Sequence, residues 1–380
     1  VIYLDSASTT EVRREVIEAM WPFLTGNFGN PSSHHTIGES AANALRSARA
    51  TVAEWLGCRA SEIIFTSGGT ESDNLAIKGI ALATPRGRHI VTTEFEHEAV
   101  LESVDYLRRR HNFEVSFVET DSTGLISPTA LAAVLRPDST LVTITHANNE
   151  VGTVQPLEAL AATSHEIGVP FHADAVQSAG WLAVNVRALG VDALSVSGHK
   201  LGAPKGIGVL FARGRIPLEP VLHGGGQERG ARSGTENVAG AVGLATAIQL
   251  SENDREATAH RVAEIRDGFV TAVLETVPGA QLTGHPTSRL PGIASFVFPG
   301  TSGEAVLLDL EARGIVSSSG SACAAGSDEA SHVLTALGYP SEVAQTAVRF
   351  SWGADVSASQ LAVVADATRA AVEAIHSPKA

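Results

Sequence analysis

Between about residues 60 and 215, short runs of Val, Ile and Phe alternate with longer stretches whose apolar residues recur at helical spacing. The runs EIIFTS (62–67), HIVTTE (89–94), EVSFVE (114–119), TLVTITHA (140–147), PFHADA (170–175), LSVSG (194–198) and GIGVLFA (206–212) are predicted strands. Several lack polar alternation, as strands covered on both faces do. Between them, DNLAIKGIALA, HEAVLESVDYLRRR and PLEALAATSHEIG read as helices. The alternation predicts an α/β domain, a mostly parallel seven-stranded sheet flanked by helices.

From Glu252 to Val277 the pattern turns polar and helical, with Ile265, Phe269 and Val273 on one face. GIASFVFPG (292–300), GIVSSSG (314–320) and AVRFSWG (347–353) are further predicted strands, with amphipathic helices between and after them. These elements predict a smaller α+β domain beginning near residue 255, to which the N-terminal segment returns. The expected division is 14–254 for the large domain and 1–13 with 255–380 for the small one. A length of 380 residues suits two domains.

Charge and composition narrow the function. With 41 acidic and 27 basic residues the net charge is -14, which argues against direct nucleic-acid binding through a basic face. No apolar run has the length of a membrane span. The opening VIYLDSASTT carries neither a basic start nor an apolar core of a secretory signal. Two cysteines, Cys58 and Cys323, build no disulfide framework, so the reducing cytoplasm is the expected location. His223, in HGGGQE, has no ligand set at metal spacing, and no metal is assigned. Only four lysines occur, Lys78, Lys200, Lys205 and Lys379, so any chemistry through an amine has few candidates.

Polar residues cluster after the predicted strands, where open α/β sheets bind ligands. Ser67-Gly68-Gly69-Thr70 forms a turn with close backbone approach, and Thr70 with Asp73 resembles a capping box at a helix start suited to phosphate. As an isolated feature it reads as an ordinary capped turn. Asp174, in FHADAVQ, is a carboxylate at the end of a buried strand, costly without a cationic or donor partner. Lys200, in SVSGHK, follows another such strand beside Ser197 and His199. The phosphate fingerprint GxxxxGK[ST], a GxGxxG after a strand and a GxSxG elbow are all missing.

These three places, in this order, resemble the pyridoxal phosphate enzymes of fold type I, in the class V aminotransferase group. NPSSHHTIG (30–38), FTSGGTESDN (65–74), HANNEVGTVQP (146–156), HADAVQS (172–178), SGHKLGAPKGIG (197–208), LHGGGQERGARSGTENV (222–238) and SSGSAC (318–323) together look like a cysteine desulfurase. The resemblance runs from LDSASTT to VRFSWG and implies pyridoxal 5'-phosphate as cofactor and L-cysteine as substrate. It implies that Lys200 anchors the cofactor, that Asp174 faces its ring nitrogen, and that Gln177 faces its ring hydroxyl. Gly69, Thr70, Ser197 and His199 would hold the phosphate, and Thr235 would reach that of a neighbouring subunit in a homodimer. His97 would stack on the ring and exchange protons. Asn149 and Arg349 would bind the substrate carboxylate. The nucleophile falls at Cys323, which would carry sulfur as a persulfide to an acceptor protein serving iron–sulfur assembly, tRNA thiolation or DNA phosphorothioation.

Residue by residue, plainer readings compete. His97 begins a helix with Val100, Leu101 and Val104 on its apolar face, and by itself is a helix-start or core histidine. Arg349 alternates with Val348 and Phe350, and by itself faces solvent. Cys323 lies among Ser, Gly and Ala as a presented thiol, whereas Cys58 in WLGCRASEIIF suits an inert place near the core. Asp328 and Ala330 replace a usual leucine and proline after the nucleophile, and Trp352 replaces a common leucine near Arg349, where packing is the better reading. Two other functions fit parts of the pattern: another class V enzyme, a selenocysteine lyase or aminotransferase, and an inactive scaffold that binds a sulfur carrier. A complete Lys200, Asp174, His97 and Cys323 set argues against the scaffold.

Overall fold

The computed structural model describes residues 1–83, 86–320 and 330–376. Its strands are β1 (Ile2–Tyr3), β2 (Ile63–Thr66), β3 (His89–Thr92), β4 (Glu114–Phe117), β5 (Ser139–Thr145), β6 (Phe171–Asp174), β7 (Ala193–Ser197), β8 (Gly208–Ala212), β9 (Gln281–Leu282), β10 (Ile293–Val297), β11 (Ile315–Val316) and β12 (Ala347–Ser351). The seven predicted strands of the first half form one sheet, in the order β2-β8-β7-β6-β5-β3-β4. Only β8 runs against its neighbours in that sheet. The other six therefore point their carboxyl ends to one edge. That edge gathers the polar turns.

Every residue of β2, β3, β5, β6, β7 and β8 is buried, which explains their near-continuous apolar runs. Helices α1 (Arg14–Leu24), α2 (Thr36–Leu56), α3 (Gly69–Ala83) and α4 (Glu98–His111) account for the first part of the covering layers. In α2, Ala41, Leu45, Ala48, Val52 and Leu56 recur at three- and four-residue steps and are buried. The helix ends at Gly57, which takes a left-handed φ of 68° that a side chain would strain. The helix Val238–Glu252 lies against both α1 and α2.

Strands β12, β10 and β9 form a separate antiparallel sheet, with Ile293 opposite Ser351 and Val297 opposite Ala347. The helices Arg255–Thr276 and Ala358–His376 pack on each other, the first also against β10. Phe269, Phe296, Phe350 and Trp352 meet edge to face in this second core, with Phe269 to Trp352 at 5.9 Å between ring centres. Trp352 is 1% exposed, so its bulk fills the core. β1 pairs in parallel with β11, and Leu4 joins the same apolar cluster. The predicted strand 314–320 shortens to Ile315–Val316, because Ser318 leaves the pairing with β1 and bridges to Arg349.

Candidate active site

The turns at the sheet's edge are built by hydrogen bonds from the strands beneath them. After β2, Thr66 Oγ1 donates to the Gly68 carbonyl at 3.1 Å and meets Ser72 Oγ at 2.8 Å. The Ser67 amide donates to Glu71 at 2.8 Å. Helix α3 then begins at Gly69, and its first amides have no carbonyl four residues back to serve. Gly69 lies so close to Val176 that a Cβ would stand 2.7 Å from Val176 Cγ2. The same Cβ would be 3.4 Å from Ser197 Cβ, so the opening of α3 and the end of β7 share one cradle. Thr70 is exposed at its rim.

The expected capping box is not formed. Asp73 is buried beneath the sheet edge rather than turned back on the helix start. One of its oxygens lacks a hydrogen-bond partner, and burial, then Asp174, then Glu96 drive its pKa well up. The helix begins one residue before Thr70, which puts Asp73 on the inward face.

β6 and β7 are neighbours, with Asp174 opposite Ser195. Asp174 closes β6, buried, and accepts the Val176 amide at 2.9 Å. Burial raises its pKa, offset in part by His97, by that amide and by Lys200. Lys200 sits in a 3-10 turn directly after β7. Its amine donates to the carbonyls of Ala7 and Ser8, the latter at 2.7 Å. Burial is the main cause that brings it down to about 8, helped by Arg349 and opposed by Asp5 and Asp174. Gln177 Nε2 donates to the same Ala7 carbonyl at 2.9 Å. His199, half-buried, meets Thr9 Oγ1 through Nδ1 at 3.1 Å. The N-terminal segment thus runs along the mouth of the site. A cleft of about 920 Å³ opens there, bordered by Ala7, Gln177, Lys200 and Trp352.

His97 caps α4, its Nδ1 accepting the Ala99 amide at 3.0 Å, and its side chain is exposed. The helix-start reading of the sequence and nearness to Asp174 hold together. Asn149 follows β5 in a turn shaped by its neighbour Asn148, whose Oδ1 accepts the Glu150 and Val151 amides at 2.8 and 2.9 Å. Arg349 is 1% exposed, contrary to the solvent-facing reading of its strand. Its fork spans four acceptors: Asp5 at 2.7 Å, Ser8 at 2.9 Å, the Asn149 carbonyl at 2.8 Å and the Gly320 carbonyl at 3.2 Å. Both faces of β12 are covered because the N-terminal segment crosses it, and alternation along one strand does not show that. Arg349 Nε is buried without a partner, a donor suited to a carboxylate.

Thr235 is exposed in the loop before the helix Val238–Glu252. That loop is fastened to its own chain by Arg232 to Glu71 at 2.8 Å and by a fork from Arg49 to Glu228. Cys323 lies outside the described residues. Cys58 is half-buried against the large core, and burial pushes its thiol up to about 12.

The sequence reading missed a buried polar layer under the site. His172 is fully buried between Thr143 at 2.8 Å and Ser195 at 3.0 Å, and burial lowers it to about 3, so its ring is neutral. Glu96 accepts Thr93 Oγ1 at 2.7 Å and the Thr145 amide at 3.0 Å, tying the ends of β3 and β5. Burial lifts its carboxyl to about 8. Glu150, also buried, completes the set. His172 and Glu150 stood inside quoted motifs, whereas Glu96 fell between the predicted strand 89–94 and the helix that follows it.

The chain matches the family model described as Aminotransferase class-V over residues 2–364. It is 43% identical over 376 residues to cysteine desulfurase IscS of Dictyoglomus turgidum, which covers 99% of this chain and 95% of that one. Among solved structures, a NifS-like protein superposes with a TM-score of 0.91 at 35% identity, over 98% of this chain and 99% of that one. A structure of SspA in complex with cysteine matches with a TM-score of 0.82 at 37% identity, over 92% and 98% of the two chains. The chain belongs to the class-V aminotransferase family, and within it to the cysteine desulfurases. It is a pyridoxal-phosphate-dependent enzyme.

The residues present fit that cofactor. The Gly69 cradle with its helix amides suits a phosphate. Asp174 is a buried carboxylate whose charge its neighbours only partly compensate, which a cationic ring nitrogen would complete. An amine brought down to about 8 is suited to covalent attachment at neutral pH. No helix of the described residues is long and apolar enough to cross a membrane, and none of their side chains cluster as a metal site.

Proposed function

We propose that this cysteine desulfurase assigns its residues as follows. Lys200 would anchor the cofactor covalently, and its free amine would take the proton from the substrate Cα. Asp174 pairs with the ring nitrogen and Gln177 with the ring hydroxyl. Gly69, Thr70, Ser197 and His199 surround the phosphate. His97 covers the ring and exchanges protons with the substrate. Asn149 and Arg349 receive the substrate carboxylate, for which the free Nε of Arg349 is a ready donor.

When bound, pyridoxal phosphate supplies an electron sink for negative charge developing at the substrate Cα. Cys323, as thiolate, attacks the substrate sulfur. The new S–S bond forms as the Cβ–S bond breaks, and the electron pair stays with the carbon, which is protonated and leaves as alanine. Sulfur remains on Cys323 as a persulfide for an acceptor protein. The thiolate is required because a neutral thiol is a weak nucleophile.

The observation that carries the assignment is the adjacency of β6 and β7, which pairs Asp174 with Ser195 and brings the turn holding Lys200 within electrostatic reach of that carboxylate. Lys200→Ala tests it. The variant is expected to lose the visible absorbance of the bound cofactor and all turnover of L-cysteine. Full absorbance in that variant would refute the assignment of the amine.

A homodimer is part of the proposal, with Thr235 completing the phosphate site of the partner. Ile17, Trp21 and Leu24 recur on one side of α1, exposed, and Phe28 follows them at 70% exposure. An apolar strip of this kind suits a subunit interface. The division into a domain of 14–254 and another of 1–13 with 255–380 is supported by the separate aromatic cluster around Phe269. The cytoplasm is the proposed location, since two cysteines without a disulfide framework suit a reducing compartment.

A further inference from the structure

Glu150 stands beside Asn149, yet the assignments above give it no work. It is buried, with its amide held by Asn148 at 2.8 Å. Its Oε2 accepts the hydroxyl of Ser331 at 2.5 Å. Gly320 packs against the same oxygen so closely that a Cβ there would stand 3.3 Å away. In the chain, Cys323 lies between Gly320 and Ser331. One buried carboxylate therefore touches residues on both sides of the thiol.

Neighbouring bonds reinforce both contacts. On one side, the Gly320 carbonyl accepts Arg349 at 3.2 Å, and Ser318 exchanges backbone hydrogen bonds with Arg349. On the other, Ser331 caps the helix His332–Ala336 by accepting the Leu334 amide at 3.2 Å. His332 Nε2 donates to the carbonyl of Glu96 at 3.0 Å, next to His97. Burial drives the Glu150 carboxyl up, and Ser331, His332 and Arg349 oppose that rise while Glu98 adds to it. A carboxylate in such a place is costly unless its hydrogen bonds are kept.

We propose that Glu150 is a positioning residue for Cys323, holding Gly320 and Ser331 to the turn that presents Asn149. The proposal rests on Cys323 being the nucleophile. Small displacements of a reacting group are enough to cost about a hundredfold in rate.

The test uses the holoenzyme with Glu150→Ala, Glu150→Gln and Ser331→Ala, beside Cys323→Ser. Alanine formation from L-cysteine gives kcat and KM, and peptide mass spectrometry follows alkylation of Cys323 by iodoacetamide. Glu150→Ala and Ser331→Ala are expected to lower kcat by about tenfold or more with KM changed by less than about threefold. The alkylation rate of Cys323 is expected to change in both. Glu150→Gln keeps an oxygen that accepts from Ser331 and is expected to recover most of the rate. If Glu150→Ala and Ser331→Ala alter neither kcat nor alkylation, the proposal fails. A loss of kcat with unchanged alkylation would make the role purely structural and also overturns it. Should Glu150→Ala not fold, Ser331→Ala alone decides by the same two readouts. Full sulfide release by Cys323→Ser would instead overturn the nucleophile itself, whatever Glu150 does.

Discussion

A thiol pushed to about 12 is almost wholly protonated at neutral pH, and Cys58 is in addition half-covered by the large core. Alkylating reagents are therefore expected to spare it, and Cys58→Ser is expected to keep L-cysteine turnover within about twofold. Peptide mapping after a short iodoacetamide pulse checks the first point and steady-state kinetics the second. Loss of turnover in Cys58→Ser would reassign the two thiols. At this scale the sequence was informative where chemistry is rare: four lysines left Lys200 as the strongest candidate, and it is a buried amine within electrostatic reach of Asp174. It was uninformative for Arg349, because what covers β12 comes from residues over three hundred positions away, Asp5 and Ser8.

The opening of α3 shows how an element makes a binding place. A glycine is required at position 69, since a Cβ would meet Val176 at 2.7 Å and occupy the cradle beside Ser197. Gly69→Ala is expected to weaken cofactor binding by about tenfold or more, while weakening pyridoxal, which lacks the phosphate, much less. Titration of the visible absorbance with the two compounds measures this directly, and equal loss for both would contradict a phosphate cradle. In the second core, Phe269→Ala removes a ring that meets three others and is expected to cost about 3–5 kcal/mol in denaturant unfolding. Six of the seven central strands were legible because burial on both faces leaves a simple apolar signature, and the seventh, β4, was legible although it is partly exposed at the sheet edge. The two-residue strands β1 and β9 were not, because their pairing depends on partners distant in the chain, and β11 was legible only as part of the longer run 314–320. The Thr70–Asp73 pattern matched a capping box in spacing, and tertiary burial of Asp73 prevailed over local preference.

The site rests on four buried carboxyl groups among the described residues, Asp73, Glu96, Glu150 and Asp174, each raised first by burial. For Glu96 the folded value is about 8 against an ordinary 4.5, so the folded protein binds more protons than the unfolded chain between those values. The stability this provides is complete below the lower value and is lost as pH rises through the upper one. Glu96→Gln keeps an acceptor for Thr93 and Thr145 and cannot ionise. The Tm of the holoenzyme is therefore expected to fall less between about pH 5 and pH 9 in Glu96→Gln than in the unaltered protein. An identical fall would place Glu96 outside the proton balance. Such a layer was not legible from periodicity, because its acids come from the helix α3, from turns after β3 and β5 and from the end of β6, and meet only in the folded domain. Net charge gave a correspondingly coarse guide: -14 argues against a basic nucleic-acid-binding face and describes no partner.

The central claim is that sulfur leaves L-cysteine by transfer to Cys323 while the carbon skeleton departs as alanine. Peptide mass spectrometry of the holoenzyme after a brief exposure to L-cysteine, with alanine counted in the same sample, tests it most directly. The account predicts one added sulfur atom on the peptide carrying Cys323, appearing in step with the first alanine formed. Alanine and sulfide released with Cys323 unmodified, or added sulfur on the Cys58 peptide instead, would contradict it.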